Sequence, residues 1–319
     1  MNIRYLRRSE IDTVRWNQCI DEAVNGMPYA YSWHLDVVCT AWDALVLGDY
    51  SAVFPLPWDR RLLGYRQSYN PILSQQLGPM GRQPLSQSTV DAFFDAIPPS
   101  FRRLRLHLNT GCPLPRSGAW SITPRPNFIL DLSTSYEQRF AAYSKSLRKR
   151  LRKARPRHDW TEGGMSPAEL VRLYQQYTGP KVEASARDFT IITQQLEAAI
   201  DQGKGKIFQT RCLRGRQGAA GFFLFSHGRV INLFGTSTHL GREEHSMHVL
   251  LDGLIAQFAG QPLLLDFEGS AIPSIAYFFQ SFGSVQETYH LLEKNDLPGW
   301  LNGMLRVRKT WRSLKASIA

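Results

Sequence analysis

The chain has 319 residues, a formal net charge of +11, 43% hydrophobic and 20% charged residues, a composition that excludes a disordered chain and allows one large domain or two ordinary ones. No uninterrupted apolar run approaches the roughly 20 residues that span a bilayer, and the opening MNIRYLRRSEIDTVRW lacks the apolar centre of a secretory leader. Four scattered cysteines (Cys19, Cys39, Cys112 and Cys212) and dispersed histidines, with only His245 and His248 three apart, give no metal-ligand spacing, so the expectation is a reduced, cytoplasmic protein without a metal.

In chain order, IRYL is a short strand. Ile11, Val14, Trp16, Cys19 and Ile20 make a helical stripe. The aromatic segment YAYSWHLDVVC follows, with Tyr31 and Trp33 at the spacing of two that gives a strand one face. DALVLG, SAVFPLPW and YRQSYNPILSQQLGPMG are strand-like and punctuated by proline and glycine. STVDAFFDAI reads as a helix capped by Ser88 or Thr89, and RRLRLHLN as a half-buried strand. The proline-rich passage over residues 111–127 reads as a connection between two halves.

The second half restarts the same grammar. FILDLS is a strand, and SYEQRFAAYSKSLRKRLRKARP is one long helix. SPAELVRLYQQYT, capped by Ser166 with Pro167 at its first position, and ARDFTIITQQLEAAID are two more. KIFQTRCLRG, GAAGFFLFSHG and VINLFGTST form an antiparallel meander. EEHSMHVLLDGLIAQFA is an amphipathic helix, PLLLDFEGS an apolar strand, IPSIAYFFQSFG a helix closed by Gly283, and VQETYHLL a last strand. The two halves share a strand, helix, meander, helix, strand order, which fits a structural duplication. In the tail, Trp300, Met304, Trp311, Leu314 and Ile318 form a loose apolar stripe, read as a packed terminal helix rather than a membrane-surface one.

Most of the net charge sits in one place. SKSLRKRLRKARPR, residues 144–157, holds eight cations and no acid. Phe140, Tyr143, Leu147, Leu151 and Ala154 fall on one face of that helix, and Pro156 ends it. A docked helix with a basic outer face follows. Lys145, Arg148, Lys149 and Arg152 are its candidate anion-binding residues, for tRNA, nucleotide phosphates or anionic lipid; a solvated face that only aids solubility is the competing reading.

The element order over residues 126–293 resembles the GNAT acyltransferase fold. LLLDFEGSAIPSIAYFFQSFG, residues 263–283, is similar to the Fem-type branch, in which a strand ends in an aspartate, aromatic, glycine pattern and a helix ends in Phe-Gly. YSKSLRKRLRKA looks like the helix after the first strand of Fem-like and cellulose-biosynthesis-type acetyltransferase-like domains. YAYSWHLDVV and NPILSQQLGP are similar to the degenerate first GNAT unit of tandem members. The resemblance implies an α/β protein with a mixed sheet and two tandem GNAT-like domains in Fem-like arrangement: 1–125, 126–295, and a basic helical tail over 296–319. It implies acyl or aminoacyl transfer to an amine on a small molecule or peptide, with acyl-CoA or aminoacyl-tRNA as co-substrate.

Where the family carries its pyrophosphate-binding loop, this chain reads GTSTHLGREEHSMH. Gly235 and Thr236 are its candidates for the donor, with Glu243 and Glu244 expected in the first turn of the next helix, where they repel phosphate. The family's leaving-group tyrosine falls at Phe279, with Tyr277 two residues away as a substitute acid. In this fold the donor lies at a splay between central strands. Glu268, just past the leucine-rich strand, is the candidate base or amine anchor, while Asn232 and Ser270 can hydrogen-bond a carbonyl. Tyr31, Trp33, Gln75 and Gln76 are candidates for a substrate groove between the halves. The rival expectation is a non-catalytic GNAT-fold protein that binds a polyanion or a protein partner.

Overall fold

A computed structural model describes residues 1–62, 65–182, 184–212, 215–269 and 272–301. The first half runs β1 (Ile3–Arg7), α1 (Thr13–Glu22), α2 (Ser32–Val38), β2 (Ala41–Leu47), β3 (Ala52–Leu62), β4 (Tyr65–Ser68), β5 (Met80–Gly81), α3 (Gln87–Asp95) and β6 (Phe101–Leu108). The second runs β7 (Ser121–Asp131), α4 (Tyr136–Ala142), α5 (Lys145–Ala154), β8 (His158–Glu162), α6 (Pro167–Tyr177), α7 (Ala186–Asp201), β9 (Gly205–Cys212), β10 (Gln217–Ser226), β11 (Arg229–Ser237), α8 (His239–Glu243), α9 (Ser246–Phe258), β12 (Leu264–Asp266), α10 (Pro273–Gln280) and β13 (Val285–Asn295).

All strands join one mixed sheet in the order β1-β2-β3-β4-β6-β13-β7-β12-β11-β10-β9-β8, with β5 beside β3. Each half is an antiparallel series closed by a parallel pair, β4 with β6 and β11 with β12. The helix between the members of each pair, α3 or α9, is the crossover that a parallel connection requires. The fold is thus α/β with a mixed sheet built from two units of like order, as the sequence reading expected. β13 stitches the units together, pairing with β6 over residues 290–295 and with β7 over 285–293.

The apolar pattern of β10 explains why helices cover both sheet faces. Phe222 joins a core with Trp16, Leu35, Leu196 and Ile231, drawn from both halves. Its neighbour Phe223 joins a second core with Leu147, Leu151, Leu250 and Leu254. A strand buried on both faces reads as a continuous apolar run.

Five local expectations are corrected. The long basic helix is two helices, because the Ser144 side chain accepts from Leu147 N at 3.2 Å and caps α5; this local bond competes with helix continuation. Tyr143, Leu147, Leu151 and Ala154 are buried, so the stripe itself stands. The aromatic segment is not a strand: Pro28–Ala30 is a 3₁₀ turn and Tyr31 stands immediately before α2. The cap of α3 is Ser86, whose side chain accepts from Thr89 N. Val14 is 76% exposed, so α1 docks through Trp16, Cys19 and Ile20. Lastly, residues 121–127 are strand rather than connection. Pro124 and Pro126 are tolerated there because that part of β7 pairs with β13 on one side, whereas β12 pairs only with Ile129–Asp131. The tail stripe from Met304 onward lies outside the described residues; Trp300, within them, is 59% exposed.

Candidate active site

β11 and β12 run parallel for three residues only, Arg229 opposite Leu264 to Ile231 opposite Asp266. Beyond that they part. Phe267 N bonds to Phe128 O of β7 at 2.9 Å, so the chain after β12 stays with β7. On its other side β11 carries a bulge: Asn232 faces Phe223 and Phe234 faces Phe222, leaving Leu233 as the extra residue. A bulge leaves its extra residue out of the ladder and re-aims the strand. The splay opens into a cavity of about 650 Å³ lined by Asn232, Leu233, Phe234 and Gly235 of β11, Phe267 and Gly269 after β12, Met247 at the start of α9, and Phe278 and Phe279 of α10. Ile72 and Leu73 of the first half complete one wall.

Glu268 lies between the cavity-lining Phe267 and Gly269. Its φ of 54° is left-handed, a conformation that costs a non-glycine residue about 1–2 kcal/mol. Two contacts hold it. Its N–H donates to Asp266 Oδ1 at 2.9 Å, and Tyr29 of the first half donates its hydroxyl to Glu268 Oε1. Gly269 follows at φ 34°, where an added Cβ would collide with the Pro126 carbonyl and with Asn127 Cα of β7. Burial is the main force on the Glu268 carboxyl. It pushes the pKa up to about 8, with the Tyr29 bond opposing and the charge of Asp266 adding to the rise. Burial also holds the Tyr29 phenol far above its ordinary range.

Beneath Glu268 a buried ionic network crosses four adjacent strands. Arg229 (β11) donates to Asp266 (β12) at 2.9 Å and to both carboxylate oxygens of Glu287 (β13) at 3.0 and 3.1 Å. Asn127 (β7) donates to Glu287 Oε2 at 3.2 Å. Beside it stands Tyr289, its phenol raised by burial and by the charges of Glu268 and Asp266. His107 packs against Tyr289 with ring centroids 5.6 Å apart. Its Nδ1 bonds to Gln75 O, and burial lowers its pKa. The sequence reading singled out neither Arg229, Tyr289 nor His107, and it did not pair Tyr29 with Glu268.

Of the residues marked from sequence, Asn232 and Gly235 line the cavity, whereas Glu268, between the lining residues Phe267 and Gly269, is not itself part of the lining and has its carboxylate closed against Tyr29. Thr236 is 3% exposed, bonds Thr178 Oγ1 just after α6 at 2.6 Å, and is not among the residues that line the cavity. Ser270 lies outside the described residues. Tyr277 is 64% exposed, whereas Phe279 stacks on Phe267 at 4.8 Å in the cavity wall. Tyr31 is buried, donates to Asp21 and stacks on Trp33 at 5.5 Å. Gln76 is fully buried and accepts from Thr110 N, while its amide donates to Gln75. Tyr31 also meets His227 and Lys204 of the second half, while the bonds of Gln75 and Gln76 stay within the first. A cleft of about 580 Å³ between the halves is lined instead by Cys39, Thr40, Tyr69 and Asn70 on one side and by Ser185, Arg187, Thr190 and Gln194 on the other. Ile72 borders both cleft and cavity.

The basic helix stands at the far end of the cavity. Arg150 reaches His248 of α9 at 3.4 Å, and the His248 ring packs on the cavity-lining Phe278 at 4.8 Å. Arg155 pairs with Asp252 and Arg157 with Glu244. Among the described residues no acid pairs with Lys145, Arg148, Lys149 or Arg152. Glu243 ends α8 and Glu244 follows it, so neither lies in the first turn of α9, which begins at Ser246 after His245 and holds no acid. The two carboxylates thus stand before the helix rather than in its first turn, and Glu244 is paired with Arg157. A break at His245, with φ 62°, separates the two helices.

No protein-family model matches the chain, and no curated protein matches it in sequence. Solved structures do match in shape. FemX superposes with a TM-score of 0.63 at 11% identity, covering 91% of this chain and 97% of that one. A conserved protein of unknown function from Bacteroides thetaiotaomicron gives 0.57 at 10%, covering 89% and 98%. The C-terminal domain of a candidate lysylphosphatidylglycerol synthetase from Agrobacterium fabrum gives 0.52 at 8%, covering 92% and 95%. Matches spanning both halves, together with the paired β4–β6 and β11–β12 crossovers, establish that this chain has the tandem GNAT-like fold of the Fem type.

Proposed function

We propose that the protein is an N-acyltransferase that moves an acyl or aminoacyl group from a phosphate-bearing carrier, acyl-CoA or aminoacyl-tRNA, to an amine. The observation that carries this reading is the cavity at the parting of β11 and β12, with the strained Glu268 in the chain between its lining residues Phe267 and Gly269. The donor carbonyl enters between Leu233 and Phe267. The unpaired backbone at the Leu233 bulge, with Asn232, supplies hydrogen bonds to the oxygen that becomes anionic. The acceptor amine approaches along the cleft past Ile72. It attacks as the free base, and Glu268 takes its proton directly or through a water. The tetrahedral intermediate then collapses, expelling the thiolate or ribose oxygen, which regains a proton from solvent or from the rim. In this reading 1–125 and 126–295 act as two domains that share the cleft, and Tyr277 is at the rim rather than at the reacting atoms.

The unpaired cations of α5 and the N-terminal end of α9 receive the carrier's phosphates. Thermal shift with acyl-CoAs, aminoacyl-tRNA and uncharged tRNA tests this. An acylated carrier is expected to raise the melting temperature above its deacylated form. Reversing charge at Lys145, Lys149 and Arg152 should weaken carrier binding and flatten its salt dependence. Equal stabilisation by charged and uncharged carriers would instead support a polyanion-binding protein without catalysis. No response to any of them would defeat both readings.

A further inference from the structure

Resting on the acyltransferase reading, we infer that the transferred group is a long aliphatic acyl chain, seated in the splay cavity. Two observations lead there. The first is size. An acetyl group fills a small fraction of about 650 Å³, whereas a methylene takes roughly the volume of one water, about 30 Å³, so a chain of on the order of ten or more carbons is accommodated. The second is chemistry. Asn232 and the Tyr174 hydroxyl are the polar side-chain groups in the lining, and no charged side chain is among the described residues that line it. A free aminoacyl ammonium group would find no carboxylate in that wall.

The rim carries the same character. Val182 and Ile275 border the cavity and are 40% and 37% exposed, and the adjacent Ile272 is 55% exposed. Apolar side chains held partly in water around an apolar opening suit a ligand whose tail slides past them. The polar end of such a ligand is provided for separately, since the carbonyl-binding residue Asn232 lies where β11 and β12 part. Met247 and Phe278 lead from the cavity to the α9 end and the α5 cations. The path is thus amphipathic in one direction, from cationic end to apolar interior, as a fatty acyl thioester is.

The test is a binding series with non-transferable thioether analogues of acyl-CoA, from acetyl through butyryl, octanoyl and dodecanoyl to hexadecanoyl, read by calorimetry. Affinity is expected to rise about fourfold per added methylene until the cavity is full, and then to level off. Ala184→Trp, which narrows the wall, should move the plateau to shorter chains. Ile275→Asp, at the partly exposed rim, should weaken long-chain analogues while sparing acetyl. A flat series overturns the inference. So does a chain-length dependence found with straight-chain alkylamines but not with the thioethers, because the tail would then belong to the acceptor. Binding is read without turnover. A steep series with no transfer to any amine leaves the chain assignment standing and defeats the enzyme reading, while transfer of acetyl with a flat series does the reverse.

Discussion

Glu268→Gln is expected to slow acyl transfer by about 10²- to 10⁴-fold, the range a positioned general base contributes, and to remove the acid limb of the pH profile. In the wild type the active form is the carboxylate. With the pKa pushed up to about 8 by burial, transfer should climb with pH until that value is passed and then level. The amide cannot titrate, so the residual rate of the variant should lack this limb.

The same substitution should raise stability at alkaline pH. The folded-state pKa of Glu268 lies above its ordinary value of 4.5. Between those values the native state holds a proton that the unfolded chain has released, so stability falls as pH rises. The loss accumulates at of order 1 kcal/mol per pH unit between about 5 and 8. The glutamine variant escapes it. Its urea midpoint should match the wild type near pH 5 and exceed it near pH 9. Higher activity of the wild type alongside higher stability of the variant is the signature of a carboxylate kept in an unfavourable place for its chemistry. Equal midpoints at both pH values would mean that Glu268 is solvated.

Arg229→Met is expected to destabilise the fold by about 3–5 kcal/mol, the range for removing one partner from a buried ionic group. The guanidinium faces two carboxylates, Asp266 with its side chain 2% exposed and Glu287 with 19%. Without it they repel each other across β12, β7 and β13, and the buried Asp266 loses its counter-ion. Burial already raises the Asp266 pKa, with the Arg229 charge opposing. In the variant that opposition is gone and the carboxyl takes up a proton more readily. The destabilisation should therefore shrink as pH falls, and adding Asp266→Asn should recover part of it at neutral pH. Urea unfolding at two pH values measures both effects. A loss below about 1 kcal/mol, as for an exposed ion pair, would show that the network does not hold the splay in place.

Much of the second half was legible because its signals are local. Ser166 with Glu169 closes a capping box, and Pro167 opens α6; the bounds of α7 follow from Ser185 and an amphipathic run. The β9–β11 meander announced itself through alternating or continuous apolar runs with glycine turns. The failures have a common physical origin. Ser144 ends one helix and starts another through a single side-chain bond that no apolar period reveals. The prolines of β7 argue against a strand until the pairing partners are known, since their tolerance depends on a neighbour missing on one side. Tyr31 and Trp33 have the spacing of one strand face, but Tyr31 stands just before α2 and Trp33 lies within it, so their rings stack on each other instead.

The site follows the same division. Glu268 was readable as a carboxylate followed by glycine at the end of an apolar strand. What buries its carboxyl and holds it was not, because burial is what raises its pKa and its partner Tyr29 is 239 positions away, joining it only once both halves have folded. Nor does any motif mark the Leu233 bulge, which exists only as a mismatch in register between β10 and β11. The acceptor cleft was expected along Tyr31, Trp33, Gln75 and Gln76, residues whose polar groups are instead largely taken up within the protein. The cleft is lined instead by residues from the end of α2 and from α7.

The most direct test of the account is a crystal structure grown with the non-transferable donor analogue that most raises the melting temperature. The account predicts density for the acyl group at the parting of β11 and β12, between Leu233 and Phe267, with the carrier's phosphates toward α9 and the cations of α5. Density for the analogue elsewhere, with that parting left empty and Glu268 still closed against Tyr29, would contradict it.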